Sequence, residues 1–326
     1  MQLSSIRARA RAALSSTKGI YLLFLIPLAY YFTQVFVQGI SQAVLPRLAL
    51  YDSSDGSEFN TVFLILQFLA GNFLLILGII NAIAVTSIAF TSLKIVRGQS
   101  KETGVKDAFS GFKSDKIGKI LLVSILKGIL LALLAIVFTF GFFLFIFAIV
   151  GFASSIIGIF QNGGSQTFAS LGYVFDDIGS LIKVSFSDAL PNIFSADGVD
   201  ENALLLALPA LAIIAFLISL PTMLIGALIY YPFAYSYRLT DYVLADQIAE
   251  GRYTGTWAVL KESRALSKGS KMKLFLLDLS FIGWYLLPTF TFGLAYIYVL
   301  PYKTLADTVF YQEVKENKKE AGSPAP

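Results

Sequence analysis

None of the 326 residues is a cysteine or a histidine, and only 14% are charged. The missing cysteines exclude disulfides, thiolate nucleophiles and iron–sulfur ligation. With histidine also absent, haem and the usual zinc sites go too, leaving oxygen ligands for hard cations alone. The missing histidines also remove the side chain that titrates unaided near neutral pH, so acid–base catalysis would need tuned Asp, Glu, Lys or Tyr. No phosphate-binding glycine loop stands in for them. No cofactor is expected, and no nucleophile-and-base arrangement argues for an enzyme. The net charge of +4 matters less than its distribution, and nucleic-acid binding is not implied.

What is present is hydrocarbon. Hydrophobic residues make up 56% of the chain and the mean hydropathy is +0.72, whereas a soluble domain is about a quarter charged. Apolar blocks lie at about 20–43, 60–92, 119–160, 203–237 and 274–302, each longer than the ~20 residues needed to span ~30 Å of lipid. The first follows RARAR and reads as an uncleaved span rather than a signal peptide. No connector is long enough for a separate soluble domain, so 1–313 reads as one membrane domain and 314–326 as a polar, disordered tail.

The connectors alternate in charge. Arg7, Arg9, Arg11 and Lys18 precede the first block, and 44–59 holds Arg47 against Asp52, Asp55 and Glu58. Seven basic residues fall in 94–119; 161–202 has Lys183 against six acids; seven basic residues return in 238–273. Because Lys and Arg are retained on the cytoplasmic side, the order reads in, out, in, out, in. The outer segment 161–202 is expected to be interfacial or cap-like. The block 119–160 would make about 60 Å of helix, so its start, with Lys119 and Lys127, is expected at the cytoplasmic interface and its span from near Gly128.

LPTMLIG and LPTFTFG repeat a spacing, Leu220, Pro221, Thr222 and Gly226 against Leu287, Pro288, Thr289 and Gly293. Each proline is expected to kink or break its helix. A hairpin turning near Pro288 would make six crossings rather than five and return the C-terminus to the cytoplasm. It would also bring Lys303 to the depth of Asp278, where pairing offsets the cost of a carboxylate in lipid. The expected fold is therefore all-α, a polytopic transmembrane helix bundle of five to six segments, six favoured, ending in a tight hairpin.

Arg264, Lys268 and Lys271 share one helical stripe suited to an anionic lipid head group or a phosphate, unless it only anchors the next span; Gly269 is expected to end the helix. The tyrosines near 230–237 and 296–302 read as interface belts, and Asp241 and Asp246 as solvated loop acids.

SRALSKGSKMKLFLLDLSFIGW, followed by PY and FY, resembles a bacterial integral-membrane family known as domain of unknown function 975. The positions that carry the resemblance include Ser263, Arg264, Lys268, Gly269, Lys271, Ser280, Phe281, Ile282, Gly283, Trp284, Gly293, Pro301, Tyr302, Phe310 and Tyr311. Ser267, Ala295 and Tyr298 depart from the family pattern, and the likeness covers 230–313. It implies a multi-pass protein of the bacterial cytoplasmic membrane and no settled activity. The expected role is a non-catalytic envelope accessory, scaffold or protection protein whose partners are the bilayer, anionic lipids and a membrane protein. The alternative is a transporter or lipid-handling permease.

Overall fold

A computed structural model describes residues 2–43, 56–161, 194–195, 198–199 and 201–320. Twelve α-helices cover nearly all of these: α1 (Leu3–Ser16), α2 (Ile20–Leu23), α3 (Leu25–Ala43), α4 (Gly56–Val96), α5 (Val105–Ala108), α6 (Ser114–Gln161), α7 (Glu201–Tyr237), α8 (Thr240–Ala249), α9 (Thr256–Ser267), α10 (Lys271–Leu279), α11 (Ile282–Phe290) and α12 (Tyr296–Glu320). A 3₁₀ turn at Ser110–Phe112 and a two-residue antiparallel pairing, Phe194 with Val199 and Ser195 with Gly198, complete the described structure. The protein is a helical bundle. Phe68–Val96, Asp115–Ala153, Ala212–Ala249 and Lys271–Phe290 are long and apolar enough to cross a membrane, and Leu25–Ile40 is a shorter apolar helix.

The chain divides into two compact units, Met1–Gly128 with Ala234–Pro326, and Ile129–Phe233. In the first, α1 is amphipathic: Ile6, Ala10 and Leu14 recur every fourth residue, and all three are buried. They join one core with Val243 and Leu244 of α8, Val259 and Leu266 of α9, and Phe310, Tyr311 and Val314 of α12. The segments assigned to the cytoplasmic side by charge thus fold together into one basal layer. Lys18 and Thr103 tie its edge, Lys18 N–H donating to Lys101 O (3.0 Å) and Thr103 N–H to Lys18 O (2.9 Å). Gly19 makes this possible: φ is +72° and a Cβ would stand 2.1 Å from the Thr103 carbonyl oxygen.

The basal layer extends further along the chain than the sequence suggests. α12 continues to Glu320, so 314–320 is helical where a disordered tail is expected. Its continuation is anchored by Lys315, which reaches Asp246 at 2.5 Å, and by Lys318, which donates to the Ala265 carbonyl.

In the second unit α6 and α7 cross closely. A Cβ on Gly141 would fall 2.7 Å from Met223 N, and one on Gly226 2.5 Å from Phe138 Cα. α6 is one uninterrupted helix from Ser114. α7 also runs unbroken through Pro221, where a kink or a break is expected, and the hydroxyls of Ser219 and Thr222 donate to Phe216 O (2.8 Å) and Ile218 O (2.7 Å). The expected readings of 162–193 lie outside the described residues.

The last apolar block folds back on itself. α10 and α11 are separated by a short turn at Ser280 and Phe281, and α12 returns alongside them. The reversal is at 291–295, just past Pro288, which stays inside α11 and whose carbonyl accepts from Gly293 N–H at 2.7 Å. Phe292 (φ +50°) and Gly293 (φ +86°) take the left-handed conformations that turn the chain. The two LPT stretches therefore do different work: Gly226 admits a neighbouring helix, and Gly293 makes a turn.

Candidate functional site

The hairpin brings four charges together at the upper edge of the basal layer. Lys303 Nζ lies 2.8 Å from Asp278 Oδ1 and also contacts Asp307, one helical turn further along α12. Arg238, in the joint between α7 and α8, reaches Asp278 at 3.2 Å and Asp307 at 2.9 Å. Tyr235 donates its hydroxyl to Asp278 at 3.0 Å. Two acids thus alternate with two bases in a closed neutral ring joining the end of α7 to α10 and α12. Burial makes the neutrality matter: the Lys303 side chain is 7% exposed and that of Asp307 10%. An unmatched charge there would cost far more than on a surface. Phe281 caps the ring, its centroid 5.4 Å from Lys303 Nζ and 4.8 Å from Tyr302.

Asp278 and Lys303 come together across the hairpin, as their spacing suggests. Arg238 and Asp307 complete the site and escape a sequence reading, because both lie in polar flanks where charges ordinarily face water.

Two further ion clusters lie in the same unit. Lys127 pairs with Asp241 at 2.8 Å, and Thr86 lies 3.4 Å from the same carboxylate. Asp246, with its side chain 1% exposed, takes Arg97 at 2.8 Å, Lys315 at 2.5 Å and the Tyr311 hydroxyl at 2.7 Å. Neither acid is a solvated loop residue. Both sit on α8, where the packing of α4, α6 and α12 supplies their cations. Burial, with the Asp246 carboxylate adjacent, pushes the Tyr311 phenol up. At the outer edge burial raises Glu250, but hydrogen bonds from Arg252 and Lys315 outweigh it and leave the carboxyl below its ordinary range.

The basic stripe is divided. Arg264 is on α9, Lys268 at its C-cap and Lys271 on the first turn of α10, with Gly269 (φ +82°) between. Arg264 and Lys268 are exposed and Lys271 half-buried, on a surface bend rather than one helix face. Ser263 is buried, and its hydroxyl and that of Ser267 donate to Ser236 O at 3.0 and 3.2 Å, closing the chain break after α7. Trp284 packs on Tyr298 and Tyr302, with centroids 5.5 and 5.8 Å away. Ser280 donates to Leu277 O at 2.7 Å. Ile282 faces outward and Gly283 has open space around it. Pro301 and Phe310 are buried in α12, and Tyr311 stacks on Tyr242 at 5.5 Å.

These positions are the framework of the hairpin and of the layer beneath it, and a family model matches nearly the whole chain that contains them. The model, described as "Protein of unknown function (DUF975)", matches residues 1–318. The chain belongs to this family. The DUF975 match begins just before α1 and ends in the last turn of α12, so it takes in both helices whose contact joins the chain ends. No curated protein and no solved structure matches the chain. DUF975 brings no activity with it, and the chemistry must be argued from the site.

Proposed function

We propose that this protein is a non-catalytic, multi-pass component of the bacterial cytoplasmic membrane, with both termini cytoplasmic, acting as an accessory, scaffold or protection protein through lipid and membrane-protein contacts. The observation that carries this reading is how its buried charge is used. Lys127, Arg238, Asp241, Asp246, Asp278, Lys303 and Asp307 are each held by an opposite charge of the same unit at 2.5 to 3.2 Å, or closer in the Lys303 and Asp307 contact. Charges that carry a substrate or a proton face a cavity and exchange partners. Charges matched in closed rings instead fix helix ends. The folding of all the basic connectors into one layer supports the orientation, because the charge rule assigns each of them to the cytoplasm.

The competing reading, a permease, draws on the break between α10 and α11. Purified protein in liposomes with an imposed membrane potential and an entrapped pH dye separates the two. The non-catalytic reading expects proton and ion leakage at the level of empty liposomes, for the natural chain and for Asp278→Asn alike. Flux above that level which falls in Asp278→Asn would overturn it.

A further inference from the structure

We infer that the C-terminal hairpin is re-entrant: it enters the bilayer from the side that carries both chain ends, turns at residues 291–295 among the acyl chains, and returns without reaching the far surface. The inference rests on the membrane reading above.

Three independent rulers give its depth. The first is the hairpin itself. Above the ring of Arg238, Asp278, Lys303 and Asp307, Phe281 stands level with Tyr302, their rings 4.8 Å apart. From Phe281 to Phe290 is about 14 Å of helix, and from Tyr302 back to Tyr296 about 9 Å before the turn. The tip therefore rises about 15 Å, half of the ~30 Å of hydrocarbon. The length of Lys271–Phe290 alone would allow a crossing, but its first eight residues include Lys271, Lys273 and Asp278 and belong to the basal layer and the ring.

The second ruler is α3. Gly293, at the tip, lies against Tyr31 and Phe32, where a Cβ would meet Tyr31 Cε1 at 3.2 Å and Phe32 Cε1 at 3.5 Å. Tyr31 also packs on Tyr296, with centroids 4.5 Å apart. Yet α3 runs on past Tyr31 to Ala43, about 18 Å further. The third is α4. Its Gly78 faces the hydroxyl of Tyr30, and Thr86, level with the Lys127 and Asp241 pair, is about 12 Å back toward the basal layer. Phe68, still inside the apolar block of α4, is about 15 Å in the other direction. The tip meets α3 part-way along, and α3 at that level meets α4 part-way along.

The chemistry of the tip suits that depth. Residues 279–302 contain no charge, and Phe290, Phe292 and Leu294 are 79%, 93% and 61% exposed. A water-facing loop would hold three large apolar side chains against solvent. Four of the five N–H groups at 291–295 are satisfied from within: Thr291 N–H donates to Leu287 O (3.1 Å), Gly293 N–H to Pro288 O (2.7 Å), Leu294 N–H to Thr291 O (3.0 Å) and Ala295 N–H to Thr291 Oγ1 (3.1 Å). Non-helical backbone survives in hydrocarbon only when paired in this way.

Because the chain lacks cysteine, full-length Phe292→Cys and Leu294→Cys variants can be exposed to a membrane-impermeant maleimide in intact cells, in opened cells and after solubilisation. Ser53→Cys and Ser110→Cys report orientation separately. Background labelling of both tip variants in intact and opened cells, with full labelling in detergent, is the expected result. Labelling in intact cells at the level of the outer control means that the hairpin crosses. Labelling only in opened cells puts the tip in water on the side of the chain ends, and protection that persists in detergent means that protein covers it. Each of these three overturns the inference. If the two controls exchange behaviour, the orientation proposed above is wrong, and the tip variants still decide the depth.

Discussion

Removing any one charge from the ring of Arg238, Asp278, Lys303 and Asp307 leaves three survivors with an uncompensated sign, whereas removing one acid and one base leaves a neutral pair. Asp278→Ala is therefore expected to cost about 3–5 kcal/mol, the usual penalty for stranding a buried charge. Lys303→Ala should cost a comparable amount, and the double variant much less than the sum, because Arg238 and Asp307 still pair at 2.9 Å. Thermal unfolding of the four proteins in detergent measures this, and strictly additive losses would show that the ring is not a unit. At this scale the sequence is legible where geometry is local. Asp278 and Lys303 flank a single reversal, so spacing alone brings them to one depth. Arg238 and Asp246 look like ordinary connector charges, and only the folding of the connectors reveals their partners.

At the scale of elements, hydropathy locates all five apolar blocks, because twenty or so residues without charge can only be solvated by lipid or by one another. Breaks are less legible. Proline removes one donor and disturbs one turn, and α7 absorbs Pro221 while Thr222 and Ser219 use neighbouring carbonyls. What the helix requires there is close approach. Gly226→Leu is expected to force α6 from α7, since even a Cβ would lie 2.5 Å from Phe138 Cα, and to cost about 1–3 kcal/mol or more as an overpacked contact. Gly226→Ala should do less. Loss of monodisperse protein on size-exclusion chromatography, graded with side-chain volume, would verify it; equal yield from all three would refute it.

Taken whole, the described chain is closed by its ends. Arg9 on α1 meets Glu313 on α12 at 3.1 Å, although 304 residues separate them. An Arg9→Cys, Glu313→Cys double variant should therefore be joined in membranes by a short bis-maleimide, giving a circularised product of altered electrophoretic mobility. Neither single variant should show it. The return of the chain to the layer of its start is foreshadowed by the hairpin expected in the last apolar block. The division into two units is not, because α6 and α7 each pass from one unit to the other without any change in composition at Gly128 or Phe233.

That closure also sets a timetable for biogenesis. Translation proceeds at roughly 5–20 residues per second, so about 15–60 s pass between the emergence of Arg9 and that of its partner Glu313. During that interval the buried face of α1, with Ile6, Ala10 and Leu14, has none of its α12 partners, Phe310, Tyr311 or Val314. The earlier apolar helices are made while the layer that will lock their ends is incomplete. A ribosome stalled before α12 would leave every described helix long and apolar enough to cross a membrane already made, and the protein unlocked.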